Sequence, residues 1–366
     1  MSDTSPRHQY RPASVTPPGD TIGELLEERD LRQAELATRM GVTPKFVNEL
    51  VAGKASITPT TALALEKALD IPADFWLSRE ARYQESRARA AAYQDRTANI
   101  SWLAELPISD MIKFKWLKNN PDKPSLVEAC LQFFGVASVD AWRQQYLEQT
   151  NTSAAYRASE KFHRNPGAVA TWLRMGELGA AQIECMPFNR DKFLAALVDA
   201  RALTLESDPD RFIPALRKLL AACGVALVIV RAPKGCPLYG AVRWLSSQKA
   251  LIQLSVRYLR SDSFWFTFFH ECGHIALHGK KILFLEAKGM AGAEEHEANR
   301  FAADRLIPAA SWATFQPIAI TESAIRKFAS SIGIDPGIVL GRLHNDQRVP
   351  WNRLNHLKVH YQWKED

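Results

Sequence analysis

Apolar residues in the first hundred positions recur at helical spacing and are interrupted by residues that start and stop helices. Thr21 and Glu24 have capping-box spacing, which predicts the start of a first helix. A second helix is predicted through Ala34–Met40, ended by Gly41 as a left-handed residue. Thr43-Pro44 is a side-chain cap followed by proline, so a third helix starts there and runs to Ala52, closed by Gly53. Thr58-Pro59 repeats the device for a fourth helix ending near Asp70, and residues 72–98 continue as a helix with a charged face. Leu36, Ala37, Val42, Val47 and Leu50 are the predicted contacts that hold the second and third helices together.

From 100 to 220 the pattern stays helical and is punctuated by prolines. The period then changes. Val225–Val230 is a continuous aliphatic run, followed by Leu238–Leu245 and Ala250–Val256, which predicts a small sheet. Helices return at 262–279, 293–306, 321–333 and 336–346. The expected organisation is a disordered tail (1–18), a helical bundle (19–79), a linker helix (80–99), a helical middle region (100–220) and an α+β domain (221–366). The expected class is therefore mainly α, with an α+β C-terminal domain.

Composition narrows the reading. The 366 residues are 46% hydrophobic and 23% charged, as in ordinary globular chains, and no apolar run reaches the ~20 residues of a membrane span. No secretory leader pattern opens the chain, and the five cysteines are scattered without a CxxC pair. The expectation is a cytoplasmic protein with reduced thiols. The net charge of +6 suggests nucleic acid, but its distribution does not place the excess on the N-terminal bundle. Residues 1–99 hold 13 Lys+Arg and 14 Asp+Glu, a net of −1, and the remainder carries +7.

Two constellations carry chemistry. The first is Ala34–Ala52, two short helices joined by a tight glycine turn, the anatomy of a helix-turn-helix. Thr43, Pro44, Lys45 and Asn48 occupy the exposed start of the second helix. Lys45 suits a phosphate or guanine edge, Asn48 an adenine edge, and Gln33 a phosphate. An ordinary helical hairpin has the same pattern. The stretch from Pro18-Gly19-Asp20 to Trp76, with Gln33-Ala34-Glu35-Leu36-Ala37, Gly53-Lys54, Ile57-Thr58-Pro59 and Asp74-Phe75-Trp76, resembles the helix-turn-helix domain of HigA-type antitoxins of the XRE class. That resemblance implies a lambda-repressor-like bundle and an operator-binding homodimer on double-stranded DNA, often autoregulating a toxin–antitoxin operon. Arg32 departs from the Ser or Thr cap usual there.

The second is H-E-x-x-H at His270-Glu271-Cys272-Gly273-His274, within a predicted helix. Residues i and i+4 share a helix face, so His270 and His274 can address one ion, with Glu271 beside them as general base. His278 continues the series but lies about 12 Å along the axis from His270, which suits a structural role better than ligation. A third ligand is sought in the acidic start of the 293–306 helix. Glu297 borders the face of Ala298, Phe301 and Ala302, while Glu294 and His296 are the other candidates. Phe266–His274, Leu277-His278, Glu297–Ala303 and Pro308 resemble the ImmA/IrrE zinc metallopeptidases. The resemblance implies a minigluzincin-like fold, Zn2+ held by His270, His274 and Glu297, and Glu271 as catalytic acid/base. Cys272 stands where an apolar residue is commoner, which makes oxidation sensitivity an expectation.

The co-occurrence of both motifs points to a DNA-binding regulator, of antitoxin or autorepressor type, whose zinc endopeptidase cleaves itself or a partner regulatory protein. The alternative is a non-catalytic zinc-bound scaffold that binds DNA and a partner such as a toxin. A peptidase with a relic DNA-binding domain ranks third.

Overall fold

The computed structural model describes residues 15–148, 165–279, 284–287, 292–315 and 320–363. The chain divides into two compact units, Met1–Ile100 and Ser101–Asp366. Most of the expected 1–18 tail lies outside the described residues.

The N-terminal unit holds α1 (Pro18–Glu28), α2 (Gln33–Met40), α3 (Pro44–Val51), α4 (Pro59–Leu69) and α5 (Ala73–Ala98). Its core is Ile22, Leu26, Leu36, Ala37, Val47, Leu50, Ala62, Leu65 and Trp76. The stops act as their residue types require. Gly41 ends α2 at φ +67°, and Thr43 Oγ1 accepts from the Phe46 amide at 3.2 Å to open α3. The first helix departs from expectation. It opens at Pro18 in the first turn, before Thr21, because proline without an N–H costs nothing at a helix start. Arg32 contributes half a capping box: its amide donates to Glu35 Oε2 at 2.9 Å, and its own side chain has no acceptor to return.

The second unit begins with a helical cluster, α6 (Ile108–Lys113), α7 (Lys123–Phe134) and α8 (Val139–Trp142), joined by edge-to-face contacts of Phe134 with Trp142 and Tyr146. After α9 (Pro166–Ala181), α10 (Arg190–Ala202) and α11 (Pro209–Ala221) comes the sheet: β1 (Val225–Ile229), β2 (Leu238–Ser246) and β3 (Lys249–Leu254). A fourth strand, β4 (Phe284–Ala287), pairs antiparallel with β2, so the order is β1-β3-β2-β4, with β1 parallel to β3. This strand was not expected from the sequence, because four residues are too short to show alternation.

Both faces of the sheet are covered, which explains the unbroken aliphatic run of β1. Val225, Leu227, Val242 and Ile252 join the core beneath α10, α11 and the helix that follows, α12 (Ser261–Leu277). Ala226, Val228, Ala241 and Leu251 face Trp172 and its neighbours on α9. Four further helices complete the unit: α13 (Ala293–Leu306), α14 (Ala309–Thr314), α15 (Glu322–Ile332) and α16 (Pro336–Asn345).

Candidate metal centre and helix-turn-helix face

The fully buried residues of α12 fall into two groups. Phe264, Trp265, Phe268, Phe269 and Cys272 enter the main core. His270, Glu271 and His274 are equally buried, at 1%, 0% and 1% exposure, and polar. Burying three such side chains is costly unless they have partners.

For the two histidines, partners come from α13. Gly273 lets that helix approach closely, since a Cβ there would sit 3.0 Å from Ala298 Cα. At this contact Glu295 reaches the histidines. His270 Nε2 and His274 Nε2 are 3.0 Å apart, and the Glu295 carboxylate lies 3.3 Å from the first and 3.5 Å from the second. Tetrahedral ligation at 2.0–2.2 Å demands donor separations of roughly 3.3–3.6 Å. Two imidazole nitrogens and a carboxylate have the chemistry of a zinc-type donor set, with both nitrogen–carboxylate distances in that range and the two nitrogens a few tenths of an ångström closer than it. Among the described residues, His270, His274 and Glu295 are the one group placed to hold a metal.

Each ring is oriented from behind. Asn299, one turn after Glu295, offers Oδ1 at 3.1 Å from His270 Nδ1. An Nδ1–H donated there leaves Nε2 with its lone pair toward Glu295. His274 Nδ1 lies 3.0 Å from His278 Nδ1, and Phe284 of β4 stacks on the His274 ring at 4.2 Å. Burial first, then the neighbouring His270 and His278, pushes the His274 pKa down to about 2, so the ring is neutral at physiological pH, as ligation requires.

Glu271 projects toward the sheet. Its carboxylate rests against Gly240 of β2, where a Cβ would come within 2.1 Å of Oε1. Only glycine leaves room for that carboxylate.

The expected third ligand is corrected by the structure. Glu297 is 62% exposed and pairs with His278 Nε2 at 3.2 Å, away from the donor cluster. Glu294 is exposed, and His296 Nδ1 sits 2.7 Å from Gly292 O at the helix start. The sequence signal for Glu295 was present: Ala298, Asn299 and Ala302 follow it at i+3, i+4 and i+7. Weighting Phe301 instead rotates the chosen face. Phe301 lies at the edge, partly buried under Arg305. The oxidation sensitivity expected of Cys272 is also corrected. The thiol is fully enclosed, and burial raises its pKa well above the ordinary value, so thiolate chemistry is suppressed.

In the N-terminal unit, Thr43, Pro44, Lys45 and Asn48 are exposed along the start of α3. Asn48 Nδ2 donates to Gln33 Oε1 at 3.4 Å, which brings the α2 and α3 candidates onto one surface. Lys45 is loosely paired with Glu49 at 3.9 Å, its side chain 85% exposed.

A helix-turn-helix family model matches residues 22–76, and an IrrE N-terminal-like domain model matches residues 229–331. The chain is 30% identical over 89 residues to the uncharacterized HTH-type transcriptional regulator YddM of Escherichia coli (strain K12), covering 24% of this chain and 88% of that protein. Among solved structures it is similar to the Pseudomonas aeruginosa antitoxin HigA with its higBA promoter, at 30% identity over 21% of this chain and 86% of that one, TM-score 0.21. A second Pseudomonas aeruginosa structure, PA4674 in complex with its 18-bp operator DNA, matches at 30% identity over 21% of this chain and 85% of that one, TM-score 0.21.

Proposed function

The chain belongs to the HTH-type transcriptional regulators through its N-terminal domain and carries an IrrE N-terminal-like domain, and we propose that it is a DNA-binding regulator with a zinc-dependent endopeptidase activity. The observation that carries this reading is the buried cluster of His270, His274 and Glu295 with Glu271 beside it. His270, His274 and Glu295 would hold the zinc. Lewis acidity toward water and a peptide carbonyl is what a bound ion supplies. Glu271 takes the proton of the attacking water as its oxygen adds to the carbonyl carbon. The same carboxyl then hands that proton to the departing amine nitrogen as the C–N bond breaks. The enclosure of Glu271 excludes bulk water from that transfer, and Gly240 sets where its carboxylate lies.

Gln33, Thr43, Pro44, Lys45 and Asn48 would contact double-stranded operator DNA, with Asn48 on a base edge and Lys45 on phosphate or guanine. Two-fold operators suit a homodimer. The protein so read acts where its operon lies, in the cytoplasm, cleaving itself or a partner regulatory protein. No described helix is long and apolar enough to cross a membrane.

The test compares purified zinc-loaded protein with its Glu271→Gln variant. About one zinc per chain in both, with slow appearance of a cleaved product in the wild type alone, is expected. Elemental analysis and intact-mass spectrometry read the two. A chain that retains no zinc at equimolar metal, or products equal in both proteins, would overturn the enzymatic part. Unchanged operon regulation by a folded His270→Ala, His274→Ala variant would favour the scaffold reading.

A further inference from the structure

The loop between β3 and α12, the first turns of α12, the middle of α13 and the end of α16 surround a cleft of about 980 Å3. It reaches the donor cluster. Asn299, the partner of His270, lines it, as does Phe266, whose ring centroid is 6.5 Å from that of His270. Whatever occupies the cleft therefore lies next to the site already described.

The charge of its walls is one-sided. Arg257, Arg260, Arg300 and Arg342 line the cleft, against two carboxylates, Asp262 and Asp346. Both carboxylates are engaged. Asp262 Oδ2 meets the buried Lys358 Nζ at 2.6 Å, and Asp346 Oδ2 accepts from Arg342 Nε at 3.3 Å. Three of the four guanidiniums are held in place. Arg257 Nη1 donates to Cys236 O at 2.9 Å, Arg260 lies over the Tyr258 ring, and Arg342 over the Trp312 ring. Forked, pre-ordered donors of this kind suit carboxylates, because little side-chain entropy remains to be lost on binding.

The loop itself is strained. Val256 and Leu259 stand at φ +49° and +51°, conformations that cost on the order of 1–3 kcal/mol each for residues with a Cβ. They bracket Arg257 and Tyr258 and turn this segment toward the cleft. Large apolar surface is exposed there too: Trp351 at 60% and Phe266 at 36%.

We propose that this cleft binds an acidic stretch of the polypeptide substrate, with carboxylates on the arginines and an apolar side chain against Phe266 or Trp351. The proposal rests on the peptidase reading and names its substrate class.

The test uses full-length, zinc-loaded Glu271→Gln protein, which binds without turnover. A fluorescein-labelled decapeptide of glutamates with one phenylalanine is titrated by fluorescence polarisation, beside the same peptide with lysines. Binding of the acidic peptide about tenfold tighter or more is expected, declining as salt rises. Adding Arg300→Glu and Arg342→Gln, the glutamine keeping a donor beside Asp346, should abolish the preference. Arg300→Glu alone, at an exposed position, should shift it in the same direction. Equal affinity for both peptides, or unchanged preference in folded variants, would overturn the proposal. Tighter binding of ATP than of the acidic peptide would also overturn it and make the cleft a nucleotide site. Proteolysis by the wild type without acidic preference would sink the cleft assignment and spare the peptidase reading. Acidic-peptide binding without any proteolysis would do the reverse.

Discussion

His278 Nδ1 lies 3.0 Å from His274 Nδ1, one helical turn earlier. The other ring nitrogen of His278 lies 3.2 Å from the Glu297 carboxylate. The three side chains form a chain that runs from an exposed acid to the back of a buried imidazole. With Glu297 accepting from His278 Nε2–H, the His278 Nδ1 is left as acceptor for His274 Nδ1–H. His274 Nε2 then keeps its lone pair for the donor cluster.

This arrangement separates the two glutamates of α13. Glu295→Gln is expected to abolish tight zinc binding. His278→Ala is expected to weaken it about 10–100-fold by releasing the His274 ring, and Glu297→Gln by only a few-fold, its carboxylate being largely exposed. Competition with a chromogenic zinc chelator measures all three. Equal losses for the two glutamate variants would contradict the assignment.

Gly240→Ala tests the seat of Glu271. The added methyl overlaps the carboxylate at 2.1 Å, and Glu271, fully enclosed, has no solvent-ward escape. Zinc stoichiometry should remain near wild type while proteolysis falls about 10²-fold or more. Parallel metal analysis and product mass spectrometry would show whether the two properties separate.

The face of α2 and α3 makes its own prediction. Asn48→Ala with Lys45→Ala should weaken operator binding, with Asn48 relaxing specificity and Lys45 lowering the salt dependence. Thr43→Ala should instead cost about 1 kcal/mol of stability in the N-terminal unit by removing the cap on Phe46 N. Electrophoretic shift titrations at two salt concentrations and a thermal melt distinguish these effects.

The buried Lys358, wholly enclosed and paired with Asp262 on the first turn of α12, is expected to be intolerant of removal. Lys358→Met leaves the buried Asp262 carboxylate with only Arg260, 4.0 Å away, and breaking such a buried pair costs about 3–5 kcal/mol. Adding Asp262→Asn should recover part of the loss. A denaturant melt of the single and double variants reads the difference.

Asp335 gives the stability of the second unit a pH dependence. Burial raises its pKa from 3.8 to about 6, against the opposing hydrogen bonds from the Gly337 amide and Ser261. The folded state therefore holds this proton more tightly than the unfolded one. Stability from this group is greatest below pH 4, declines as pH rises to about 6, and is level above that. The full change corresponds to about 3 kcal/mol. Asp335→Asn, which keeps the acceptor for Gly337 N, should remove that slope, as urea melts between pH 4 and 7 would show.

Much was legible in the residues alone. The caps Thr43-Pro44 and Thr58-Pro59, the stop at Gly41, the aliphatic β1 and the spacing of His270 and His274 are local signals, set by backbone sterics and by the 3.6-residue turn. They specify a helix-turn-helix and a two-histidine face wherever the chain goes next. The third donor could not be read in this way. Glu294, Glu295 and Glu297 sit within one turn, and which of them faces the histidines depends on how α13 rolls against α12 at Gly273. That roll is a packing outcome, since the Ala298 backbone and the Phe301 Cβ seat against the glycine and bring Glu295 and Asn299 to the histidines together. The short β4, the fit of Glu271 to Gly240 and the arginine-lined cleft likewise join residues tens of positions apart. Only close packing of the folded chain brings such groups within reach, so the donor cluster and its surroundings were decided by tertiary structure.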